Sequence, residues 1–219
     1  MTSETTGRIR GVLFDWDGTL LNSYEADSSA YLAMFREMEI PWGLAELAEH
    51  YSPNWYRVYQ AAKLPRARWE AADGAWRKCY ANHRPKLMKG ARRVIAKVRR
   101  EYRVGLVTSG DRRRVTRQLR EFALTRLFAV RVCGDDTRQK KPHPGPLRLA
   151  LRKMRLNAPT CVYVGDSPED LEMARRAGVR AIAVLGCFPT EKRLRAARPE
   201  VLLESIEELP EALERMACE

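Results

Sequence analysis

The sequence predicts an α/β protein: a doubly wound parallel sheet (a Rossmann-like core) with an inserted, all-helical domain. Two observations predict the sheet, namely short apolar runs rich in β-branched residues and helical patterns that alternate with the later runs. A third observation predicts the insert, because no strand pattern is evident between residues 22 and 86. We therefore expect a core built from residues 1–21 and 87–219, and a helical cap at residues 22–86.

The predicted strands are five apolar runs that lie at residues 9–14, 104–107, 128–133, 161–164 and 181–185. A shorter run, Val201–Leu203, is a possible sixth strand. Such runs are typical of strands buried on both faces, as parallel strands are when helices cover the sheet. The alternation of strands and helices therefore predicts a parallel order rather than an antiparallel one.

Helix start and stop signals place the core helices. Asp111 is a good N-cap for a helix at residues 112–122. Pro168 and Gly178 are typical start and stop residues for a helix at Pro168–Ala177. Further helices are predicted at residues 146–154 and 207–216. The insert is predicted to hold helices at residues 27–38, 43–50, 56–63 and 68–82, separated by prolines.

Composition excludes several classes of protein. A chain of 219 residues with 45% hydrophobic residues can bury a core, so it is not a disordered protein. No apolar run approaches the roughly 20 residues that span a bilayer, and residues 1–7 lack the apolar centre of a secretory signal. The five cysteines are scattered, without a Cys-x-x-Cys pair, so neither a disulfide framework nor a zinc site is indicated. We expect a cytoplasmic protein that has no membrane partner.

The net charge of +12 is unevenly distributed. Residues 89–155 carry 21 Lys and Arg against five Asp and Glu. Such a field could attract phosphorylated substrates or nucleic acid. The alternative is a solvated, arginine-rich surface, and many of these residues are predicted on exposed helix faces. They are Arg92, Arg93, Arg99, Arg100, Arg112, Arg113 and Arg114.

The first strand delivers two carboxylates into a turn. Asp15 and Asp17 follow an apolar run and precede Gly18 and Thr19. Side chains two residues apart in extended backbone point to one face, so both carboxylates can converge on one ligand. Open α/β sheets bind ligands beyond the carboxyl ends of their strands. The pair suits an oxygen-liganded cation such as Mg²⁺ and a nucleophile or acid. The alternative is an Asx turn with a solvated second Asp.

Later strand ends add groups suited to an anion. Thr108, Ser109 and Gly110 form a strand-to-helix turn, which offers a hydroxyl and backbone N–H groups; the alternative is a simple ST turn. Lys141 stands in a proline-stiffened loop after the third strand and could neutralise a phosphoryl group. The alternative for Lys141 is a solvated side chain.

The fourth strand ends at Asp166, and Asp170 follows one helical turn later, so both can face one side. Asp166 could instead cap the helix, or do both.

The four motifs occur in a characteristic order, each at the end of a strand. Asp-x-Asp-Gly-Thr-Leu, Val-Thr-Ser-Gly, Lys-Pro-x-Pro and Val-Gly-Asp-x-x-x-Asp together resemble the haloacid dehalogenase superfamily. The chain looks most like the phosphoglycolate phosphatase-like branch, in which a helical (C1-type) cap follows the first motif. The resemblance extends from residue 9 to the last helix.

The resemblance implies a Mg²⁺-dependent phosphatase that acts on a small phosphorylated metabolite. By similarity, Asp15 is the nucleophile that forms an aspartyl-phosphate, and Asp17 is the general acid and base. Mg²⁺ would be bound by the Asp15 carboxylate, the Asp17 backbone carbonyl and Asp166. Asp170 would orient Lys141 or a metal-bound water.

By the same similarity, Thr108, Ser109 and Gly110 would bind phosphate oxygens, and Lys141 would compensate charge in the transition state.

The cap segment departs from the family pattern. A Gly/Pro-containing specificity loop is expected there, but this chain has aromatic residues and no glycine at residues 50–57. One hypothesis is that Trp55, Tyr56 and Arg57 select a larger or ring-bearing phosphate ester. The alternative is that the aromatic residues pack the core of the cap.

Two other functions are weighed. A sugar phosphomutase uses the same core and the same pair of aspartates. A basic, non-catalytic nucleic-acid-binding protein is disfavoured because all the motif residues are present. The oligomeric state is expected to be a monomer or a homodimer.

Overall fold

A computed structural model describes residues 8–217. The polar start at residues 1–7 and Cys218 therefore lie outside the described residues. Within them, the strands are β1 (Gly11–Phe14), β2 (Leu21–Asn22), β3 (Lys86–Leu87), β4 (Arg103–Val107), β5 (Val130–Val132), β6 (Cys161–Gly165), β7 (Arg180–Val184) and β8 (Val201–Leu203). The helices are α1 (Tyr24–Glu37), α2 (Leu44–His50), α3 (Trp55–Ala61), α4 (Trp69–Tyr80), α5 (Ala91–Val98), α6 (Arg112–Glu121), α7 (Gly145–Met154), α8 (Pro168–Ala177), α9 (Glu191–Ala196) and α10 (Leu209–Ala217).

Six strands form one parallel sheet in the order β5-β4-β1-β6-β7-β8. The chain moves outward on one side of β1 through β4 and β5, and then returns to the other side through β6. The strand order thus reverses around β1, which is where open α/β sheets bind ligands. The predicted fold class is confirmed, and the possible sixth strand is present as β8.

Alternating side chains of the sheet pack against two helical layers. Val12 and Phe14 of β1 face a core that includes α5, α6 and α10. Leu13 faces the opposite side, with α7 and α8. Both faces of β1 are fully buried, which explains why its sequence is a continuous apolar run rather than an alternating one.

The insert between the first and second strands of the sheet contains α1 to α4, as expected. Its helices enclose a small core of their own around Tyr31, Phe35 and Tyr59. The expectation of no strand at residues 22–86 is wrong at both ends, because β2 and β3 pair antiparallel where the chain enters and leaves the insert. Each strand has two residues, too few for a periodic pattern. The domain boundaries at residues 21/22 and 86/87 stay a prediction.

The cap signals act as predicted at two helices. Asp111 caps α6 by accepting a hydrogen bond of 2.9 Å from Arg114 N. Gly178 ends α8 in the left-handed conformation, with φ of 74°. The patterns do not single out α5 and α9, which are short. Within residues 8–217, no helix has the length and apolar character needed to cross a membrane.

Candidate active site

A cavity lies at the carboxyl ends of the central strands, between the sheet and the helical insert. Its sheet side includes Asp15, Asp17, Thr108, Ser109, Arg114 and Asp166. Its insert side includes Asp27, Tyr31, Tyr51, Trp55, Tyr59 and Trp76. The structure therefore brings the motif residues of β1, β4 and β6 to one place, next to a wall that includes five aromatic side chains.

Lys141 lies between two carboxylates beside this cavity. Its Nζ atom is 2.7 Å from Asp15 Oδ1 and 2.7 Å from Asp170 Oδ1. Lys141 is 1% exposed, so the alternative of a solvated lysine is wrong. Asp170 is held in turn by the Ser167 hydroxyl, which donates a hydrogen bond of 2.6 Å, and lies 3.1 Å from the Tyr163 hydroxyl. The ammonium is fixed next to the predicted nucleophile, with Asp170 behind it.

Burial and mutual repulsion change the ionisation of this cluster. Burial raises the pKa of Asp15 to about 7; Asp170 adds to the rise and Lys141 opposes it. Burial, followed by the charges of Asp15 and Asp170, raises the pKa of Asp166 well above its ordinary value. Burial alone would lower the pKa of Lys141, but the two carboxylates beside it outweigh burial and raise that pKa. The three buried carboxyl groups therefore require more positive charge than Lys141 supplies if all of them are to be ionised.

The acidic cluster fits a divalent cation. Carboxylate oxygens of Asp15, Asp166 and Asp170 lie within 4.8 Å of one another, and all three residues are buried. Oxygen ligands of this kind are those that Mg²⁺ prefers. A Cβ atom on Gly18 or Gly186 would lie 2.1 Å or 2.5 Å from Asp166 Oδ2. These two glycines therefore leave the space that the Asp166 carboxylate occupies.

The loop after β4 has the features of an anion site. Thr108 is buried, and its Oγ1 accepts a hydrogen bond of 3.0 Å from Gly110 N. The ST turn that was the alternative interpretation of this segment is therefore present in the same loop. The Ser109 hydroxyl is buried without a hydrogen-bond partner among the described residues. A polar group left unpaired in this way can be satisfied by a ligand oxygen.

Asp17 lies apart from the acidic cluster and is bound by Arg114. The two guanidinium nitrogens Nη1 and Nη2 donate to Oδ1 and Oδ2 of Asp17, each at 2.8 Å. Burial acts to raise the pKa of Asp17, but the charge and hydrogen bonds of Arg114 outweigh it, and the pKa is lowered. The prediction that Arg114 lies on an exposed helix face is wrong, because its side chain is only 10% exposed.

The neighbours of Arg114 explain its position. A Cβ atom on Gly110 would lie 2.3 Å from Arg114 Nη2, so glycine leaves the space that the guanidinium occupies. The guanidinium also stacks on the Tyr80 ring of α4, 4.8 Å from its centroid. Sequence reasoning missed Arg114, although one signal was available. Three arginines in the first turn of α6 oppose the helix dipole, which favours acidic residues there.

Ser167 is the N-cap of α8, and its hydroxyl accepts a hydrogen bond from Asp170 N at 3.2 Å. The sequence left open whether Asp166 caps this helix, and the structure shows that Ser167 is the cap instead. The Oδ1 atom of Asp166 accepts a hydrogen bond of 2.9 Å from the Thr19 hydroxyl. Trp16, between the two predicted catalytic acids, is buried in the core, and its Nε1 donates to Gln118 Oε1 at 2.9 Å.

The three cap residues predicted to select substrate lie in different places. Trp55 lines the cavity. Tyr56 stacks on Trp69 with ring centroids 4.8 Å apart, which agrees with the alternative of cap packing. Arg57 does not line the cavity; its Nη1 lies 3.7 Å from Glu169 Oε1, and the side chain is half exposed. In the structure, Arg57 makes a contact between insert and core, and its role in selecting substrate stays a prediction.

Glu169 is the centre of a contact between insert and core. It is 4% exposed and accepts a hydrogen bond of 3.0 Å from the Ser52 hydroxyl of the insert. Arg193 donates to the same Oε1 atom at 3.0 Å and to the carbonyl of Tyr51 at 2.7 Å. These bonds hold the loop before α3 against the core and thereby close one side of the cavity.

Comparisons with known proteins agree with this geometry. Residues 12–184 match the haloacid dehalogenase-like hydrolases. Pyrophosphatase PpaX of Bacillus cereus is 29% identical over 214 residues, covering 95% of this chain and 98% of that protein. The crystal structure of CbbY from Rhodobacter sphaeroides in complex with phosphate has a TM-score of 0.77 at 26% identity, covering 92% and 96% of the chains. A predicted phosphoglycolate phosphatase from Haemophilus somnus has a TM-score of 0.79 at 19% identity, covering 96% and 99%.

Proposed function

The chain belongs to the haloacid dehalogenase-like hydrolases and is a phosphatase of that family, and from this premise we propose its reaction. It hydrolyses a small phosphate monoester with Mg²⁺, through an aspartyl-phosphate on Asp15. The observation that carries the proposal is the position of Lys141, 2.7 Å from both Asp15 and Asp170 and shielded from water. A buried cation fixed against a buried carboxylate suits a reaction that moves a phosphoryl group between two oxygens.

In the first step, an oxygen of Asp15 attacks phosphorus, and the bond from phosphorus to the ester oxygen breaks. Asp17 donates a proton to the departing oxygen, so the alcohol leaves neutral. In the second step, a water molecule gives its proton to Asp17 while its oxygen attacks the aspartyl-phosphate. The bond between phosphorus and the Asp15 oxygen breaks, inorganic phosphate is released, and both carboxyl groups return to their starting states.

The surrounding residues position the phosphoryl group. Thr108, Ser109 and the Gly110 backbone bind its oxygens, and the unpartnered Ser109 hydroxyl supports this role. Lys141 stays next to Asp15 and compensates the charge that develops on the phosphoryl oxygens. Asp170 is a positioning residue that holds Lys141 in place.

The acidic cluster supports a magnesium site. Asp15, Asp166 and the Asp17 backbone carbonyl would hold the ion, and the excess of carboxylates over cations in this cluster supports that assignment. When bound, Mg²⁺ neutralises phosphoryl charge and favours the ionised form of Asp15. Burial and the charges of Asp15 and Asp170 raise the pKa of Asp166, and a cation beside its carboxylate would favour the ionised form.

Pyrophosphate is a second candidate substrate. The relative from Bacillus cereus, 29% identical over nearly the full length of both chains, carries the name pyrophosphatase PpaX. Pyrophosphate would use the same residues, because the reacting group is again a phosphoryl group.

We place the reaction in the cytoplasm, where cysteines stay reduced; Cys79, Cys133, Cys161 and Cys187 carry no disulfide.

The test is a screen for phosphate release with Mg²⁺, across sugar phosphates, nucleotides, phosphoglycolate, pyrophosphate and 4-nitrophenyl phosphate. We expect release that stops with a chelator and returns with added Mg²⁺. The Asp15→Asn variant is the control for contaminating phosphatases. Absence of Mg²⁺-dependent release from every compound, with the protein folded, would overturn the proposal.

A further inference from the structure

The insert side of the cavity is an aromatic chamber, which we define by the rings of Tyr31, Tyr51, Trp55, Tyr59 and Trp76. The chamber faces the phosphate-binding loop across the cavity, so it is the place for the part of the substrate beyond the ester oxygen. Aromatic rings present negative faces, and cations bind to such faces.

Asp27 of α1 lines the same chamber. Among the described residues, no hydrogen-bond donor and no cationic group is paired with its carboxyl group. Burial raises the pKa of Asp27 to about 8; the charge of Asp17 adds to the rise, and the charge of Arg114 opposes it. A carboxyl group in a cavity without a partner costs stability unless a ligand supplies one.

The arginines that line the cavity are already paired, within the part of the chain that the structure describes. Arg114 is bound through both nitrogens to Asp17. Arg77 lies 3.4 Å from Asp73, which also accepts a hydrogen bond of 2.8 Å from the Tyr59 hydroxyl. Lys140 Nζ lies 5.1 Å from the centroid of the Trp55 ring and donates to the carbonyls of Gly134 and Thr137. Of the two acids on the insert side of the cavity, Asp73 is thus paired and Asp27 is not, so a cationic group that enters the chamber would meet the Asp27 carboxyl group and the tyrosine rings.

We propose that the aromatic chamber binds a leaving group that carries an ammonium, with Asp27 as its counter-ion. This inference rests on the proposed phosphatase function and names its substrate class, which is a phosphate ester of an amino alcohol. The phosphoryl group occupies the loop after β4, and the ammonium lies among the rings next to Asp27. Asp27 is thus a specificity-determining residue that takes no part in breaking the phosphorus–oxygen bond.

The test compares three esters that differ only at the far end of the alcohol. They are an ω-aminoalkyl phosphate, the matching alkyl phosphate and the matching ω-carboxyalkyl phosphate, each with chains of two to four carbons. For the wild-type protein, we expect kcat/KM to fall in that order at the best chain length. The ammonium ester should exceed the alkyl ester by at least about tenfold, mainly through KM, because the contact lies away from the reacting atoms.

Asp27→Asn preserves size and removes the charge. We expect this variant to lose most of the preference for the ammonium ester and to keep its rate on the alkyl ester. Glu25→Gln is the matched control, since Glu25 is an exposed carboxylate on the same helix. It should leave the order unchanged. A thermal melt of each variant shows that the protein is folded.

The outcomes separate the two proposals. A preference for the carboxylate ester, or a ranking that Asp27→Asn does not change, overturns the chamber assignment and leaves the phosphatase function standing. Hydrolysis of 4-nitrophenyl phosphate or pyrophosphate but of none of the three esters has the same meaning. Failure to hydrolyse any phosphate compound overturns both.

Discussion

The guanidinium of Arg114 holds the carboxylate of Asp17 through two hydrogen bonds of 2.8 Å, across 97 residues of sequence. The pair lies between core and insert, because Arg114 Nη1 also donates to the Tyr80 hydroxyl at 3.2 Å. Asp17 can reach a substrate oxygen only when this bidentate contact loosens. We infer that the structure corresponds to a resting state in which Arg114 keeps Asp17 ionised, and that Asp17 takes up the proton it donates in the first step once this contact has loosened.

Replacing Arg114 with glutamine should destabilise the protein. Asp17 would then lie in the cavity without its cation, and breaking such a pair costs about 3–5 kcal/mol when it is fully buried. Because the side chains of Arg114 and Asp17 are 10% and 20% exposed, we expect a smaller loss in the free energy of unfolding, roughly 2 kcal/mol. Urea denaturation at pH 7 measures this loss.

The stability loss in Arg114→Gln should depend on pH. The folded pKa of Asp17 is depressed, so the stabilisation by Arg114 is present above the ordinary carboxyl pKa and is lost as the pH falls through the folded value. The difference between wild type and Arg114→Gln should therefore shrink from pH 7 to pH 3. Arg113→Gln, at an exposed neighbour, is the control. An Arg114→Gln protein as stable as that control at pH 7 would contradict the ion pair.

Gly110→Ala should act through Arg114. The added methyl group would lie 2.3 Å from Arg114 Nη2 and 2.9 Å from Val115 Cγ2, so the guanidinium must move. We expect a loss of about 1–3 kcal/mol, as for other overpacked sites. In an Arg114→Ala background the same change should cost clearly less, since one of the two clashes is gone. Additive losses in this double-mutant cycle would show that Gly110 and Arg114 do not compete for space.

Magnesium should stabilise the protein more at high pH. The pKa of Asp15 is raised to about 7 by burial, so the metal-free protein loses stability as the pH rises from the ordinary carboxyl value toward 7. Metal binding requires the ionised carboxylates and reverses this loss. An ion at 100 times its Kd contributes about 2.7 kcal/mol, a rise in Tm of roughly 5–10 °C for a chain of this size.

Thermal melts with Mg²⁺ or a chelator at pH 5 and pH 8 measure this effect. The rise in Tm should be larger at pH 8 and should disappear in Asp166→Asn. It should be retained in Glu172→Gln, since Glu172 is a partly exposed acid on α8 that pairs with Arg175 and Arg176 outside the cluster. An equal rise at both pH values would contradict the link between the acidic cluster and the ion.

Trp55→Ala and Arg57→Gln should have different effects on substrate choice. Trp55 lines the cavity, whereas Arg57 contacts Glu169 outside it. We expect Trp55→Ala to change the ratio of kcat/KM between a large and a small phosphate ester by about tenfold, which equals about 1.4 kcal/mol. Arg57→Gln should leave this ratio unchanged. If Trp55→Ala lowers stability and keeps the ratio, its ring only packs the cap.

The sequence was sufficient for the six strands of the parallel sheet and for the motif residues that follow them. Parallel strands buried on both faces leave continuous apolar runs, so β1 and β6 are visible without a structure. Their carboxyl ends lie at one edge, which places Asp15 and Asp166 together. The strands β2 and β3 were missed because a two-residue strand has no periodicity and because the strands are far apart in sequence, with Leu21 paired to Leu87 and Asn22 to Lys86.

Two residues of the site could not be placed by pattern. Arg114 stands in a run of arginines, and periodicity does not say which of them turns into the cavity. Its position depends on the missing side chain of Gly110, a contact within the folded loop. Asp27 lies on a helix of the insert, and only the docking of that insert against the core brings it into the same cavity as the loop after β4.

The central claim is that Asp15 carries the phosphoryl group. The most direct measurement is to quench the protein during turnover with Mg²⁺ and substrate, reduce it with borohydride, and identify the modified residue by mass spectrometry. The account predicts homoserine at position 15 in the wild-type protein and none in Asp15→Asn, which should fold normally and lose essentially all turnover. Reduction at another carboxylate, or turnover by Asp15→Asn within about tenfold of wild type, a difference of about 1.4 kcal/mol in barrier, would contradict it.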